Sequence, residues 1–320
     1  MNILDFSYKK RVFINRCKEL LLYCSYSIKN KKKLSRQLYV AMIDGRFYHG
    51  GLSDRLKGAI SLYAYCKATS KEFRLNFTSP FDLSMYLLPN MYDWRLKNDE
   101  CIVNDIFNSK TLLIINEYRG ERLFNLKSKK QIHYYNNRDI VDMVNSKYGT
   151  AYTWGELFNE LFIPSQELKK SVSYHRNRIG KNYISVVFRF QQLLGDFKEY
   201  DFPTLNKGEK LELINKCIRQ IKEMQLRYSN TPLLVTSDSI TFLNEISNLN
   251  GVYTLPGNVV HIDVTKNADY KIYEKSFLDF IMLSQSEMVF CVGTKYMYPS
   301  EFPLYASKIN NIPFKRILIK

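Results

Sequence analysis

Through the second half of the chain, short apolar runs alternate with longer stretches in which apolar positions return every three or four residues. The runs "YISVVFRF", "PLLVTSD", "GVYTLPG", "EMVFCVGT" and "PFKRILI" predict strands. The stretches between them, "KGEKLELINKCIRQIKEMQLRYS", "SITFLNEISNL", "EKSFLDFIMLSQS" and "PSEFPLYASKINN", predict amphipathic helices. Apolar strands alternating with helices predict a doubly wound parallel sheet, which binds ligands beyond the carboxyl ends of its strands.

The first half repeats the alternation less cleanly. Residues 3 to 28 interleave apolar side chains with lysine and arginine at helical spacing, predicting one or two basic amphipathic helices. These suit packing on their own domain or a peripheral membrane contact. "QLYVAMID" (Gln37 to Asp44) predicts a strand, a helix follows from about Asp54 to Ala68, and "FRLNFTS" and "TLLIINEY" predict two further strands. From about Asn125 to Asn182 the chain is polar and basic with no strand pattern, and the link between domains is placed there, near residues 165 to 180. The expected architecture is α/β, with one domain over residues 1–172 and a second over 173–320.

Polar groups gather at the ends of the predicted strands of the second half. They are Arg189 and Asp196, then Ser237 and Asp238, then His261 and Asp263, then Gly293, Thr294, Lys295 and Ser300. "SDS" before a helix is also a capping signal, with Ser237 or Asp238 as the cap. Arg189 is the least ordinary of the set. It follows "ISVVF", a run patterned for burial on both faces, where an unpaired guanidinium costs several kcal/mol. An anion fixed at that strand end would satisfy it, and a diphosphate fits its five-donor fork. In the first half, Gly50 and Gly51 precede a helix start at Ser53 and Asp54, followed by Arg55 and Lys57. Such a loop permits positive φ or close backbone approach and presents helix N–H groups to an anion or a sugar hydroxyl.

Charge narrows the partners. The 47 basic and 31 acidic residues leave a net charge of +16, which favours a polyanionic partner: nucleic acid, an anionic membrane face or phosphate-bearing molecules. Some of the excess lies in runs such as Lys29, Lys31, Lys32, Lys33 and Lys127, Lys129, Lys130, a pattern common in solvated loops. A nucleic-acid-binding reading would use the 24 tyrosines as stacking platforms. No RRM, KH or helix-turn-helix pattern accompanies them. The six cysteines form no CxxC pair and fit buried thiols of a reducing, cytoplasmic compartment. The first residues mix charges into apolar positions too early for the pattern of a signal peptide, and no stretch reaches 18 uninterrupted apolar residues.

The order "GGLSDRLKG", "FTSPFDLSMYLLPNMYDW", "VVFRFQQLLGDF", "LLVTSDSITFL" and "KSFLDFIMLSQSEMVFCVGTKYMYPSEFPLYASKI" resembles fucosyltransferase-type glycosyltransferases of the GT-B architecture. These are the enzymes related to the nodulation α-1,6-fucosyltransferases and the protein O-fucosyltransferases. The resemblance implies two Rossmann-like parallel-sheet domains facing a cleft, the second holding GDP-fucose. It implies that Arg189 contacts the donor diphosphate, in a family motif H-x-R whose histidine is replaced here by Val187. By the same resemblance Asp238, with Ser237 beside it, contacts the nucleoside, and Ser300, with Phe302 just beyond, meets the β-phosphate at a helix start. Asp279 and Ser284 match a supporting part of the last motif. Gly50 and Gly51 would approach the donor or acceptor sugar.

The implied reaction is an inverting displacement that needs no cofactor beyond the nucleotide-sugar donor. With no D-x-D triplet in the chain, a metal-bridged diphosphate is not indicated. Asp54, then Asp196, then His49 are the candidates for the base that deprotonates the acceptor. The expected acceptor is a glycan, free or carried on lipid, in bacterial surface polysaccharide synthesis at the inner membrane face. A transferase using another nucleotide sugar is the alternative within the same fold.

Overall fold

The computed structural model describes residues 3–29, 36–117, 119–196, 203–260, 262 and 269–319, with side chains from Ser7 onward. His261, Asp263, Lys31, Lys32 and Lys33 lie outside the described residues. The chain divides into two compact units between Ile163 and Pro164.

In chain order the first unit contains α1 (Ile3–Tyr23), β1 (Leu38–Ile43), α2 (Leu52–Ala68), β2 (Glu72–Phe77), β3 (Leu87–Pro89) and β4 (Ser109–Leu113). Next come α3 (Glu121–Phe124), β5 (Gln131–Tyr135), α4 (Val141–Tyr148), α5 (Trp154–Leu161) and β6 (Phe162–Pro164). Four strands form a parallel sheet in the order β2-β1-β5-β4. β1, "LYVAMI", is buried at all six positions, as expected of a strand covered on both faces. α2 packs on β1, β2, α4 and α5. It needs glycine at Gly58, where a Cβ would collide with the carbonyl of Asn136.

β5 corrects the expectation of no strand between Asn125 and Asn182. "QIHYY" carries glutamine and histidine where a buried strand is expected to be apolar, yet all five residues are buried. The fold satisfies both polar groups. The Gln131 amide donates to Cys101 O and its oxygen accepts from Val103 N, at 2.9 Å each, and His133 bonds Tyr26 Oη and Gln131 Oε1 at 2.9 and 2.8 Å.

The second unit contains α6 (Gln166–Ile179), β7 (Ile184–Phe188), α7 (Lys207–Arg227), β8 (Leu233–Ser237) and α8 (Ile240–Ile246). It continues with β9 (Val252–Tyr253), α9 (Tyr270–Ser284), β10 (Met288–Gly293), α10 (Phe302–Ile309) and β11 (Phe314–Leu318). The stretch read as a link is α6, capped by Ser165, whose hydroxyl accepts from Leu168 N. It lies wholly in the second unit, so the division falls before residue 166 and not at 172.

The sheet is parallel throughout, in the order β11-β10-β7-β8-β9. The chain moves outward from β7 to β9, then returns to the other side of β7 for β10 and β11. That reversal makes the β7–β10 junction the topological switch point, where doubly wound sheets bind ligands. Register aligns the ends: Phe188 lies beside Ser237 on β8 and beside Val292 on β10. Residues just past these, Arg189, Asp238 and Gly293, therefore emerge at one rim. Beneath them Phe188, Phe190 and Phe242 pack with ring centroids 4.9 to 5.0 Å apart around Phe242. Each is fully buried, contributing about 1.5–3 kcal/mol of burial free energy.

Candidate active site

The rim of the second unit is organised by Asp238. Its carboxylate accepts hydrogen bonds from the backbone N–H groups of Phe190 and Gln191, both at 2.7 Å, and pairs with Arg189 Nη1 at 2.9 Å. Gln191 adopts a left-handed φ of 53° in this turn, a conformation that non-glycine residues rarely take. Burial pushes the Asp238 carboxyl above its ordinary range, against the opposing effects of the Arg189 charge and the two N–H donors. Asp238 thus locks the turn after β7 and orients Arg189, whose side chain stays 23% exposed at the rim.

Two expectations change here. Arg189 lies one residue beyond β7 and has a carboxylate partner, so its charge does not by itself demand a bound anion. The α8 cap is Ser239, one residue past the two expected. Its hydroxyl accepts from Phe242 N at 3.1 Å, while Ser237 Oγ accepts from Ser239 N at 3.1 Å inside the turn. Asp196 completes that cap: Oδ2 accepts from Ser239 Oγ at 2.5 Å, and Oδ1 from Thr241 N and Oγ1 at 3.0 and 2.7 Å. With both carboxylate oxygens engaged at the start of α8, Asp196 serves the helix and is a poor candidate for a base.

On the other side of β7, β10 leads to α10. Ser300 is buried, and its Oγ accepts from Phe302 N at 3.2 Å. Pro303 has no N–H, so Leu304 N is the remaining first-turn donor that an anion at this helix start can use. The Phe302 ring packs on Phe280, 5.0 Å away, which gives it a structural use. Asp279 and Lys275 form a buried pair, with Nζ 3.0 Å from both carboxylate oxygens, and Ser284 Oγ donates to Ile281 O at 2.8 Å. Val187 is buried and apolar, so the position of the family's histidine supplies no proton acceptor. Among the described residues no group of three or more His, Cys, Asp or Glu side chains is placed to hold a metal ion.

In the first unit the glycine loop follows β1 and opens α2. Gly50 has φ +81°, and a Cβ there would strike the Asp54 side chain, so glycine is required. Gly51 has an ordinary φ of −67° and open space around it; as N-cap it offers no side-chain acceptor to the α2 N–H groups. The loop is held by Arg55, a role its sequence position alone does not suggest. Its Nε donates to Gly50 O at 2.9 Å and its Nη1 to Ser79 O at 2.8 Å. Asp54, with a side chain 35% exposed, pairs with the buried Lys57 Nζ at 2.5 Å.

His49 is almost fully buried, stacked on Tyr135 with centroids 6.0 Å apart. Neither of its ring nitrogens has a hydrogen-bond partner. Burial and the nearby Arg55 charge push its pKa down to about 3. So weak a base is ill suited to deprotonating a hydroxyl near neutral pH.

No protein-family model and no curated protein matches the chain. Among solved structures, NodZ α-1,6-fucosyltransferase co-crystallized with GDP is similar at a TM-score of 0.52 and 12% identity, over 86% of this chain and 92% of that one. NodZ is a Bradyrhizobium protein. A mutant of Arabidopsis thaliana FUT1 in complex with GDP aligns at 0.56 and 12% identity, over 93% and 73% of the two chains. POFUT1 in complex with GDP aligns at 0.51 and 10% identity, over 90% and 99%. The chain therefore has the mixed α/β, parallel-sheet fold of fucosyltransferase-type GT-B glycosyltransferases.

Proposed function

We propose that the chain is a glycosyltransferase that transfers fucose from GDP-fucose to a glycan acceptor. The observation that carries this reading is Arg189, oriented by Asp238 at the switch point of a doubly wound sheet, on a fold shared with structures that hold GDP. In the reaction the acceptor oxygen bonds to the sugar C1 as the bond from C1 to the diphosphate oxygen breaks, inverting the anomeric centre. GDP leaves with the electron pair, and the acceptor proton passes to a base. Arg189 and the start of α10 stabilise the charge developing on the diphosphate without a metal.

For the base we favour Asp54. Asp196 is committed to α8, and His49 binds a proton too weakly. The Asp54 side chain is 35% exposed at the start of α2, within reach of an incoming hydroxyl, and Lys57 fixes its position. Gly50 and Gly51 leave the start of α2 open for a sugar hydroxyl. The acceptor is a lipid-carried glycan of bacterial surface polysaccharide synthesis, reached through peripheral contact with the inner membrane face. This suits the chain's net charge of +16.

Incubation with GDP-fucose and fluorescence-shift titration with GDP, UDP and CDP test the reading together. Release of GDP from GDP-fucose and stabilisation by GDP alone are expected. Stabilisation by UDP in place of GDP would transfer the reading to another nucleotide sugar.

A further inference from the structure

The proposed transfer makes no use of α1 or of the lysine runs beside it. On a helix, positions three, four, seven and eight apart share a face. In α1 one such face is polar and turned inward. Asn15 Nδ2 donates to Ile115 O at 3.0 Å and Glu117 Oε1 at 2.9 Å; Glu19 accepts from Leu113 N at 2.6 Å and pairs with Arg122; Tyr23 Oη accepts from Thr111 N at 2.8 Å. The opposite face carries Phe13, Leu20 and Leu21, which are 69%, 66% and 71% exposed. The helix is held to its unit by these polar anchors and by Leu22, which packs on the core, and it leaves three large apolar side chains in solvent. Exposed cations border them: Arg16 on one flank, Arg11 and Lys18 on the other, and Lys10 one turn before Phe13.

Beyond the end of α1 the chain exposes one more large apolar side chain. Ile28 is 75% exposed, and Ser27 O accepts from Ile106 N at 3.2 Å, bringing the segment of Phe107 alongside. There a pocket of about 870 Å³ is lined by Tyr23, Phe107, Lys110, Lys127, Lys129 and Lys130, among others. Lys130 Nζ is used by Ile106 O at 2.7 Å, while Lys127 and Lys129 are exposed.

We propose that this face, from Phe13 along α1 to the lysine pocket, docks the protein on an anionic bilayer, with the apolar stripe entering the interface and the pocket receiving a lipid headgroup phosphate. Charge decides the occupant. A second copy of the chain would bring the same cations face to face, which opposes self-association. Nucleic acid would leave Leu20, Leu21 and Ile28 without a use. The proposal rests on the membrane-contact part of the proposed function and not on the donor.

Sedimentation of the full chain with vesicles of phosphatidylcholine, with and without phosphatidylglycerol, tests it. Binding is expected to need phosphatidylglycerol and to fall as salt is raised. The triple variant Phe13→Ser, Leu20→Ser, Leu21→Ser is expected to bind at least tenfold more weakly. Lys127→Gln and Lys129→Gln should each weaken partition about fivefold. Calorimetric titration with GDP, run on the same preparations, should be unchanged by all these variants. It also separates failure of docking from failure of the donor reading. Absence of partition, partition unaffected by the serine triple, or concentration-dependent self-association abolished by that triple would each overturn the proposal.

Discussion

Replacing Arg189 with methionine separates what its guanidinium does for the fold from what it does for a ligand. Methionine keeps an unbranched stem of similar reach and removes the charge. In the folded protein the Asp238 carboxylate retains the N–H donors of Phe190 and Gln191 but loses its ion-pair partner at 2.9 Å. Burial already holds that carboxyl above its usual range, and Arg189 is the largest opposing influence. The variant therefore raises the Asp238 pKa further.

A folded pKa raised above the unfolded value confers relative stability at low pH that is lost as pH rises through the folded pKa. The variant should be destabilised by about 1–3 kcal/mol at neutral pH, and by less at an acid pH where Asp238 takes up its proton. Urea unfolding at the two pH values measures this part. If Arg189 also donates to a diphosphate, GDP affinity drops by about 1.5–3 kcal/mol per lost charge-assisted bond, roughly ten- to 150-fold. Isothermal titration with GDP at neutral pH measures that part. Altered unfolding with GDP affinity unchanged within about twofold would assign Arg189 to the turn alone and refute its diphosphate role.

Three further outcomes follow from the same geometry. Asp54→Asn should lower the rate of transfer by about 10²–10⁴ while leaving GDP affinity intact, if Asp54 takes the acceptor proton; steady-state kinetics beside calorimetry checks this. Asp196→Ala should reduce unfolding free energy by about 1–2 kcal/mol through loss of the α8 cap, with GDP affinity unchanged; a large drop in turnover of the folded variant would return Asp196 to the reaction. His49 and His133 are buried, with pKa values lowered from 6.5 to about 3. Their depressed folded values make stability fall as pH drops from 6.5 toward 3. The pair should cost about 4 kcal/mol between pH 7 and 5, measured by denaturant unfolding and reduced by about half in His133→Gln.

The second unit was more legible than the first because its strands are apolar runs buried on both faces, as in β7 and β8. β5 escaped notice because Gln131 and His133 read as surface residues, and only contacts distant in sequence, to Cys101, Val103 and Tyr26, make them buried ones. The division between the units is hard to read near α6 because that helix is polar: its exposed lysines and arginines resemble a linker, while Leu168, Val172 and Ile179 are buried. At the candidate site, the strand-end rule located Arg189, Ser237, Asp238 and Ser300, since position relative to an apolar run is local information. The partners were not local. That Asp238 turns back to the end of β7 and Asp196 reaches forward to α8 depends on pairings 47 and 45 residues apart. The roles of Arg55 as the clasp of the glycine loop and Ser239 as the cap became visible only from backbone geometry.

A crystal structure of the chain with GDP-fucose bound tests the donor assignment most directly. The diphosphate is expected at the β7–β10 junction, with oxygens within about 3 Å of the Arg189 guanidinium and the Leu304 amide, and Asp238 still paired to Arg189. A nucleotide seated elsewhere in the molecule, with Arg189 making no contact to it, would contradict the assignment.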